Sequence, residues 1–196
     1  MMHTKEIADF LDAQNYIKRT FAEISEHHEN IKSEQMVYDF DAIKRSLAGE
    51  KCTSADAMYL KKHIYLIEFK TGFASEKKDV NTNTHKENLK LKIRLKAYES
   101  LALFEKIIVP KIEDGILDEK VQKICIAVID TAPDPMQAYA DILREKSGNL
   151  NTFRNEIFKD SLLIYGKETR NKKKLFYDRV DVWYDYEFDK KILKLA

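Results

Sequence analysis

Glycine and proline are scarce in this chain, five and three residues among 196, and the scarcity argues against long flexible linkers and against turn-rich sandwiches. Cys52 and Cys125 are too few for a disulfide framework. Each sits beside small or apolar neighbours, where a buried, reduced thiol is expected. No stretch reaches the roughly 20 apolar residues that a membrane-spanning helix requires, and the opening MMHTKEIADFLDAQ lacks the apolar segment of a signal peptide. There is no excess of one charge either: the formal net charge is +1, so affinity for a polyanion has to come from local clusters of Lys and Arg. Gly-rich phosphate loops and the Gly-x-Ser-x-Gly elbow are both missing. The histidines, the adjacent His27 and His28 included, have neither the spacing nor the cysteine partners of a structural zinc site. Together these absences predict a soluble cytoplasmic protein.

What the chain has is apolar and charged residues in periodic segments. With 44% apolar residues, a chain of this length can bury one substantial core, and we read residues 1–196 as a single domain. Ile7, Phe10, Leu11, Ile17, Phe21, Ile24 and Ile31 recur at helical spacing, which predicts one long amphipathic helix from Thr4 to about Ile31. A short strand over Met36–Phe40 and a helical turn over Asp41–Leu47 follow. Two compact apolar runs, Ala55–Leu60 and Ile64–Lys70, are separated by Lys61-Lys62-His63 and read as a β-hairpin. Polar Thr71–Thr84 reads as a loop. A lysine-rich helix carrying Leu89, Ile93, Leu95, Leu101, Ile107 and Ile108 ends near Pro110. The almost wholly apolar Ile124–Asp130 is expected to be a central strand covered on both faces. The last third predicts a helix over Met136–Lys146, a turn or helix near Phe153–Phe158, a strand over Leu162–Gly166, a basic loop, an aromatic strand over Leu175–Tyr186 and a short terminal helix. The fold class is α/β.

The hairpin carries the chemistry. Alternate side chains of a strand share a face, so Glu68 and Lys70 point the same way as Ile64 and Leu66, with Tyr65, Ile67 and Phe69 on the other side. If the loop is the three residues Lys61–His63, antiparallel pairing matches Leu60 with Ile64, Met58 with Leu66 and Asp56 with Glu68, whereas a two-residue loop shifts the pairing by one and moves Asp56 to the face opposite Glu68. Two acids directly opposed in this way stand about 4.5 to 5.5 Å apart at Cβ and destabilise the sheet unless something offsets their charge. A divalent cation is the natural remedy: Mg²⁺ takes hard oxygen ligands and accepts two protein carboxylates together with substrate phosphate. Lys70, on the same face, is placed to position a water or to offset charge building in the transition state.

Asp56, eleven intervening residues, and then Glu68-Phe69-Lys70 resemble the signature of the PD-(D/E)XK phosphodiesterases, a superfamily that includes restriction endonucleases, Holliday-junction resolvases and RecB-type exonucleases. Ala55 stands where that signature has Pro. The resemblance covers roughly residues 5–130. It implies a restriction endonuclease-like core, a mixed central sheet flanked by helices in α-β-β-β-α-β order. It also implies Mg²⁺- or Mn²⁺-dependent hydrolysis of nucleic acid, DNA being the expected substrate, with Asp56 and Glu68 as metal ligands and Lys70 as the catalytic lysine. In many members the preceding helix supplies another acid, for which Glu23 is the first candidate and Glu26 the second; many members also work as homodimers. Arg94 and Tyr98 have the spacing of the Gln-x-x-x-Tyr element of RecB-type enzymes, with Arg in place of Gln, and Lys90 and Lys96 are further candidates for phosphate contact.

Each of these features has a plainer reading. A Glu-x-Lys pair on a strand is commonly a solvated cross-face pair, and the lysines of 86–96 can be the wet side of an amphipathic helix. The run Lys167–Lys174 reads as a hairpin loop that could grip a backbone. Trp183, Tyr184 and Tyr186 read as core and cover rather than as stacking platforms. The rival function is a non-cutting protein of the same fold that binds nucleic acid or serves in assembly, encoded by a phage or other mobile element.

Overall fold

The computed structural model describes residues 2–72, 82–112, 115–130 and 176–195. The segments expected over Met136–Lys146, Phe153–Phe158 and Leu162–Gly166, the basic run Lys167–Lys174 and most of the Thr71–Thr84 loop lie outside the described residues.

The helix expected from Thr4 to Ile31 is instead a helix α1 (Thr4–Ala13), a strand β1 (Lys18–Thr20) and one helical turn, α2 (Phe21–Ile24). Asn15, at φ 57°, takes the left-handed conformation just past the end of α1. Around it Asn15 N–H donates to Asp12 O at 3.0 Å and Tyr16 N–H to Leu11 O at 3.2 Å, the paired bonds that close a helix C-terminus around an αL residue. Thr20 then restarts the helix as an N-cap, its hydroxyl accepting from Glu23 N–H at 3.2 Å. The apolar spacing runs on through the break because the two pieces bury different faces. Ile7 and Leu11 enter one core cluster, whereas Phe21 and Ile31 enter another.

Among the described residues the remaining elements follow the expected order, but the strand expected over Leu175–Tyr186 ends at Tyr184, where a helix begins. Strand β2 (Met36–Asp39) leads into α3 (Phe40–Ala48), which Asp39 caps by accepting from Ala42 N–H at 2.8 Å. Strands β3 (Ala57–Leu60) and β4 (Ile64–Lys70) form the hairpin. Helix α4 (Thr82–Leu103) continues as a π turn over Phe104–Ile108 and a 3-10 turn over Val109–Lys111, and β5 (Lys123–Ile129), β6 (Arg179–Tyr184), α5 (Asp185–Ile192) and a 3-10 turn over Leu193–Leu195 follow among the described residues. The strands lie side by side in chain order as one six-stranded mixed sheet. Pairing is antiparallel from β1 to β4 and parallel from β4 to β6. The antiparallel pair β3–β4 is closed by a short loop, α2 and α3 lie in the two earlier antiparallel connections, and the parallel step from β4 to β5 needs a long crossover, which α4 supplies.

Helices cover both faces, so the fold is α/β. On one face, Met58, Ile64 and Leu66 pack with α1, α3 and the far end of α4 through Ile7, Leu11, Phe40, Ile43, Ala97 and Leu101. Nearer the start of α4, Leu89 and Ile93 pack on Ala127, Ile129, Val182 and Tyr184 of β5 and β6. On the other face, Tyr59, Tyr65, Ile67 and Phe69 meet Phe21 of α2 and Phe188 and Ile192 of α5. Phe188 is central, with ring centroids 5.0 Å from Phe21 and 5.3 Å from Phe69 in edge-on geometry, the arrangement aromatic quadrupoles favour.

Candidate metal centre

The three-residue loop sets the register that the hairpin spacing predicts: Leu60 pairs with Ile64 and Met58 with Leu66. The third expected pair, Asp56 with Glu68, is not part of the ladder, which ends at Ala57 and Ile67. Asp56 N–H donates to Ile67 O at 3.0 Å, so Ile67 is opposed by both Asp56 and Ala57, the two-against-one arrangement of a β-bulge. The bulge turns Asp56 toward the next residue pair along β4. Its Oδ2 accepts from Phe69 N–H at 2.7 Å, which leaves Oδ1 for the space above Glu68.

Glu68 is 2% exposed. It ends the apolar stripe of Ile64 and Leu66 on the α4 face of the sheet. The cation between the acids is a lysine from α4: Lys96 Nζ lies 3.1 Å from Asp56 Oδ1 and 2.9 Å from Glu68 Oε2. Glu68 Oε1 is buried with no hydrogen-bond partner. Burial, then the Asp56 carboxylate, push the Glu68 carboxyl well above its ordinary range, with Lys96 opposing both. Burial pulls the Lys96 ammonium down, but the Glu68 and Asp56 charges outweigh it and hold the ammonium above its usual value. Cys125, paired across the ladder with Leu66, has its thiol pushed up to about 12 by burial and then by Glu68. It is an inert wall rather than a nucleophile.

Lys96 reaches the acids because α4 is pinned to the chain just before β3. Ala55 N–H donates to Ser100 Oγ at 2.6 Å, and Ser100 Oγ–H donates to Lys96 O at 2.5 Å. One residue earlier, Glu99 accepts from Thr53 N–H at 2.5 Å and from the Thr53 hydroxyl at 2.6 Å. A third tie comes from Tyr177, whose hydroxyl donates to Ala97 O at 2.6 Å. Residues four apart on a helix share a face. Docking Ser100 on Ala55 therefore sets Lys96 one turn away, over Asp56.

The other candidates are placed as follows. Lys70 ends β4 half-buried; its carbonyl accepts from Asp130 N–H at 3.3 Å, and among the described residues its ammonium makes no ion pair. Glu23 is exposed and closes the cap of α2, its carboxylate accepting from Thr20 N–H at 2.7 Å. That cap holds its carboxyl below the usual carboxylate range. Because Phe21 anchors α2 on the cluster of Tyr59, Ile67 and Phe69, Glu23 belongs to the sheet face opposite Glu68. Glu26 is exposed beside His27. On α4, Lys90 is 7% exposed, Arg94 is half-buried with Nε unpartnered, and the Tyr98 ring lies edge-on to Phe176 with centroids 4.9 Å apart. The structure thus brings Asp56, Glu68 and Lys96 together.

The site residues that the sequence reading passed over are Ser100, Glu99 and Thr53. Ser100 at i+4 from Lys96 was the available signal, since a serine inside a helix must place its hydroxyl on some partner. Among the described residues no group of three or more His, Cys, Asp and Glu side chains is arranged for a metal ion, and no helix is long and apolar enough to cross a membrane. The chain matches no protein-family model, no curated protein and no solved structure.

Proposed function

We propose that this protein is a metal-dependent nuclease that hydrolyses phosphodiester bonds, with DNA the expected substrate and Asp56 and Glu68 the ligands of Mg²⁺ or Mn²⁺. One observation carries the reading: Glu68, buried on an otherwise apolar face, keeps Oε1 without a partner beside a second carboxylate. Buried polar atoms are ordinarily satisfied, and an orphaned carboxylate oxygen next to another carboxylate fits a hard divalent cation better than it fits a structural ion pair. When bound, such an ion lowers the pKa of a coordinated water and offsets charge on the phosphate under attack. Lys70, on the Glu68 face and without an ion pair among the described residues, is free to orient that water or to meet the developing charge. The elements run α1, β1, α2, β2, α3, β3, β4, α4, β5, so the β3–β4 hairpin followed by a crossover helix and a parallel strand supports the reading, while β1, α2 and α3 are additions to the α-β-β-β-α-β order that the resemblance implies.

The test is incubation of wild type, Glu68→Gln and Lys70→Met with plasmid DNA and with structured RNA in Mg²⁺ or Mn²⁺. Wild type is expected to cut and both variants to lose cutting while keeping the far-ultraviolet circular dichroism of the parent. Undiminished cleavage by Glu68→Gln removes that carboxylate from the mechanism.

A second reading is favoured by Lys96. An ammonium already bridges the two acids, which is how a nuclease-like fold that binds nucleic acid or serves in assembly, without cutting, would neutralise them. Such a protein takes up no Mg²⁺ or Mn²⁺ and leaves both nucleic acids intact. Its nucleic-acid binding still weakens steeply as salt rises, because phosphate contacts release counterions.

A further inference from the structure

We propose that Lys96 is a displaceable resident counter-ion: its ammonium holds the cation position between Asp56 and Glu68, and a divalent ion enters by exchange with it. The proposal rests on the metal reading above and adds to it the step by which the site is loaded.

Three observations carry it. The first is position, since a single nitrogen contacts Asp56 Oδ1 at 3.1 Å and Glu68 Oε2 at 2.9 Å. A cation bound by both acids competes with Lys96 for Asp56 Oδ1, because Oδ2 of that carboxylate is held by Phe69 N–H. The second is charge. One ammonium matches only one of the two carboxyl groups once both are ionised, and Glu68 Oε1 has no hydrogen-bond partner. A divalent ion matches both carboxylates and can also use the bare oxygen. The third is freedom of movement. Ser100 and Glu99 clamp the backbone of α4 to Ala55 and Thr53, so the exchange does not have to move the helix. The Lys96 side chain is 26% exposed and carries its charge on a flexible four-carbon stem, and rotation about that stem suffices to return the ammonium to water.

Competition of this kind weakens metal binding, and removing the lysine strengthens it. Mn²⁺ titration at about pH 8, where a proton competes less for a raised carboxyl, compares wild type, Lys96→Gln and the double variant Asp56→Asn/Glu68→Gln. We expect wild type to bind one Mn²⁺ weakly, Lys96→Gln to bind it about tenfold or more tightly, and the double variant to bind none. Equal or weaker binding by Lys96→Gln, with wild-type binding intact, overturns the exchange and leaves the metal site standing. Absence of binding in both wild type and Lys96→Gln overturns the metal site and the exchange together.

Should Lys96→Gln fail to fold, wild type itself gives the answer through acetic anhydride labelling read by mass spectrometry. Lys96 should be shielded without metal and labelled at saturating Mn²⁺. Labelling that does not change when Mn²⁺ is bound overturns the exchange.

Discussion

A carboxyl that is 2% exposed and keeps one oxygen unpartnered is hard to ionise, and at Glu68 the Asp56 charge adds to the difficulty while Lys96 relieves part of it. The consequence for stability has a definite sign. A folded-state value raised above the ordinary 4.5 means that the folded chain holds this proton more tightly than the unfolded chain. The associated stability is complete below about pH 4.5 and is lost as pH rises through the raised folded value. Lys96 is raised from 10.5, so its share persists to that pH and is lost only above it. We therefore expect the unfolding free energy of wild type, measured in urea without metal from about pH 5 to about pH 9, to fall with pH relative to that of Glu68→Gln. A difference that stays flat across this range would mean that Glu68 titrates as it does in the unfolded chain. The same residue explains why a sequence can suggest the metal site: an acid in register with Ile64 and Leu66 on an apolar face breaks the pattern of a structural strand.

At the scale of elements the site is a docking problem. Helix α4 holds Lys96 over the acids only while Ser100 accepts from Ala55 N–H at 2.6 Å, at a serine that is wholly buried. Ser100→Ala leaves that N–H without an acceptor, which should cost about 1–3 kcal/mol of stability in urea denaturation. It should also loosen Lys96, making it easier to label. A Ser100→Ala chain as stable as wild type would show that α4 is held by Glu99, Tyr177 and its apolar face without the Ser100 bond. The hairpin was legible as two apolar runs about a short polar break, and its faces follow once the loop is three residues long, as it is in the structure. Its far end was not. The bulge at Asp56 depends on a bond to Ile67 O, which no local spacing announces. The long N-terminal helix failed for another reason. Phe21 and Ile24 continue the rhythm of Ile7 and Leu11 while packing on the opposite sheet face, and periodicity records spacing without saying which surface covers it. Asn15 was the local sign of the break, as a residue that tolerates the left-handed conformation. Lys96 was legible as a cationic side chain on α4 but not as the partner of both acids, because its place depends on contacts between α4 and the Thr53–Asp56 segment that are distant in sequence.

At the scale of the molecule, the acid pair joins parts of the chain that have little else in common. Asp56 precedes β3, Glu68 lies on β4 in the middle of the six-stranded sheet, and Lys96 belongs to the crossover helix that makes the parallel half possible. Whatever cation sits there therefore bears on the cohesion of the antiparallel and parallel halves together. A ligand that binds only the folded chain stabilises it by an amount set by its concentration relative to Kd, about 2.7 kcal/mol at a hundredfold excess over Kd. Unfolding should thus shift upward in Mn²⁺ for wild type and not at all for Asp56→Asn/Glu68→Gln. Lys96→Gln should start below wild type without metal, since the acids have then lost their counter-ion, and should gain more than wild type at the same Mn²⁺ concentration. The order of the two chains is the discriminating quantity. If Mn²⁺ leaves Lys96→Gln below wild type by the metal-free margin, the ammonium and the metal are not alternatives at one position, and the acids and Lys96 form a structural triad if neither chain shifts at all.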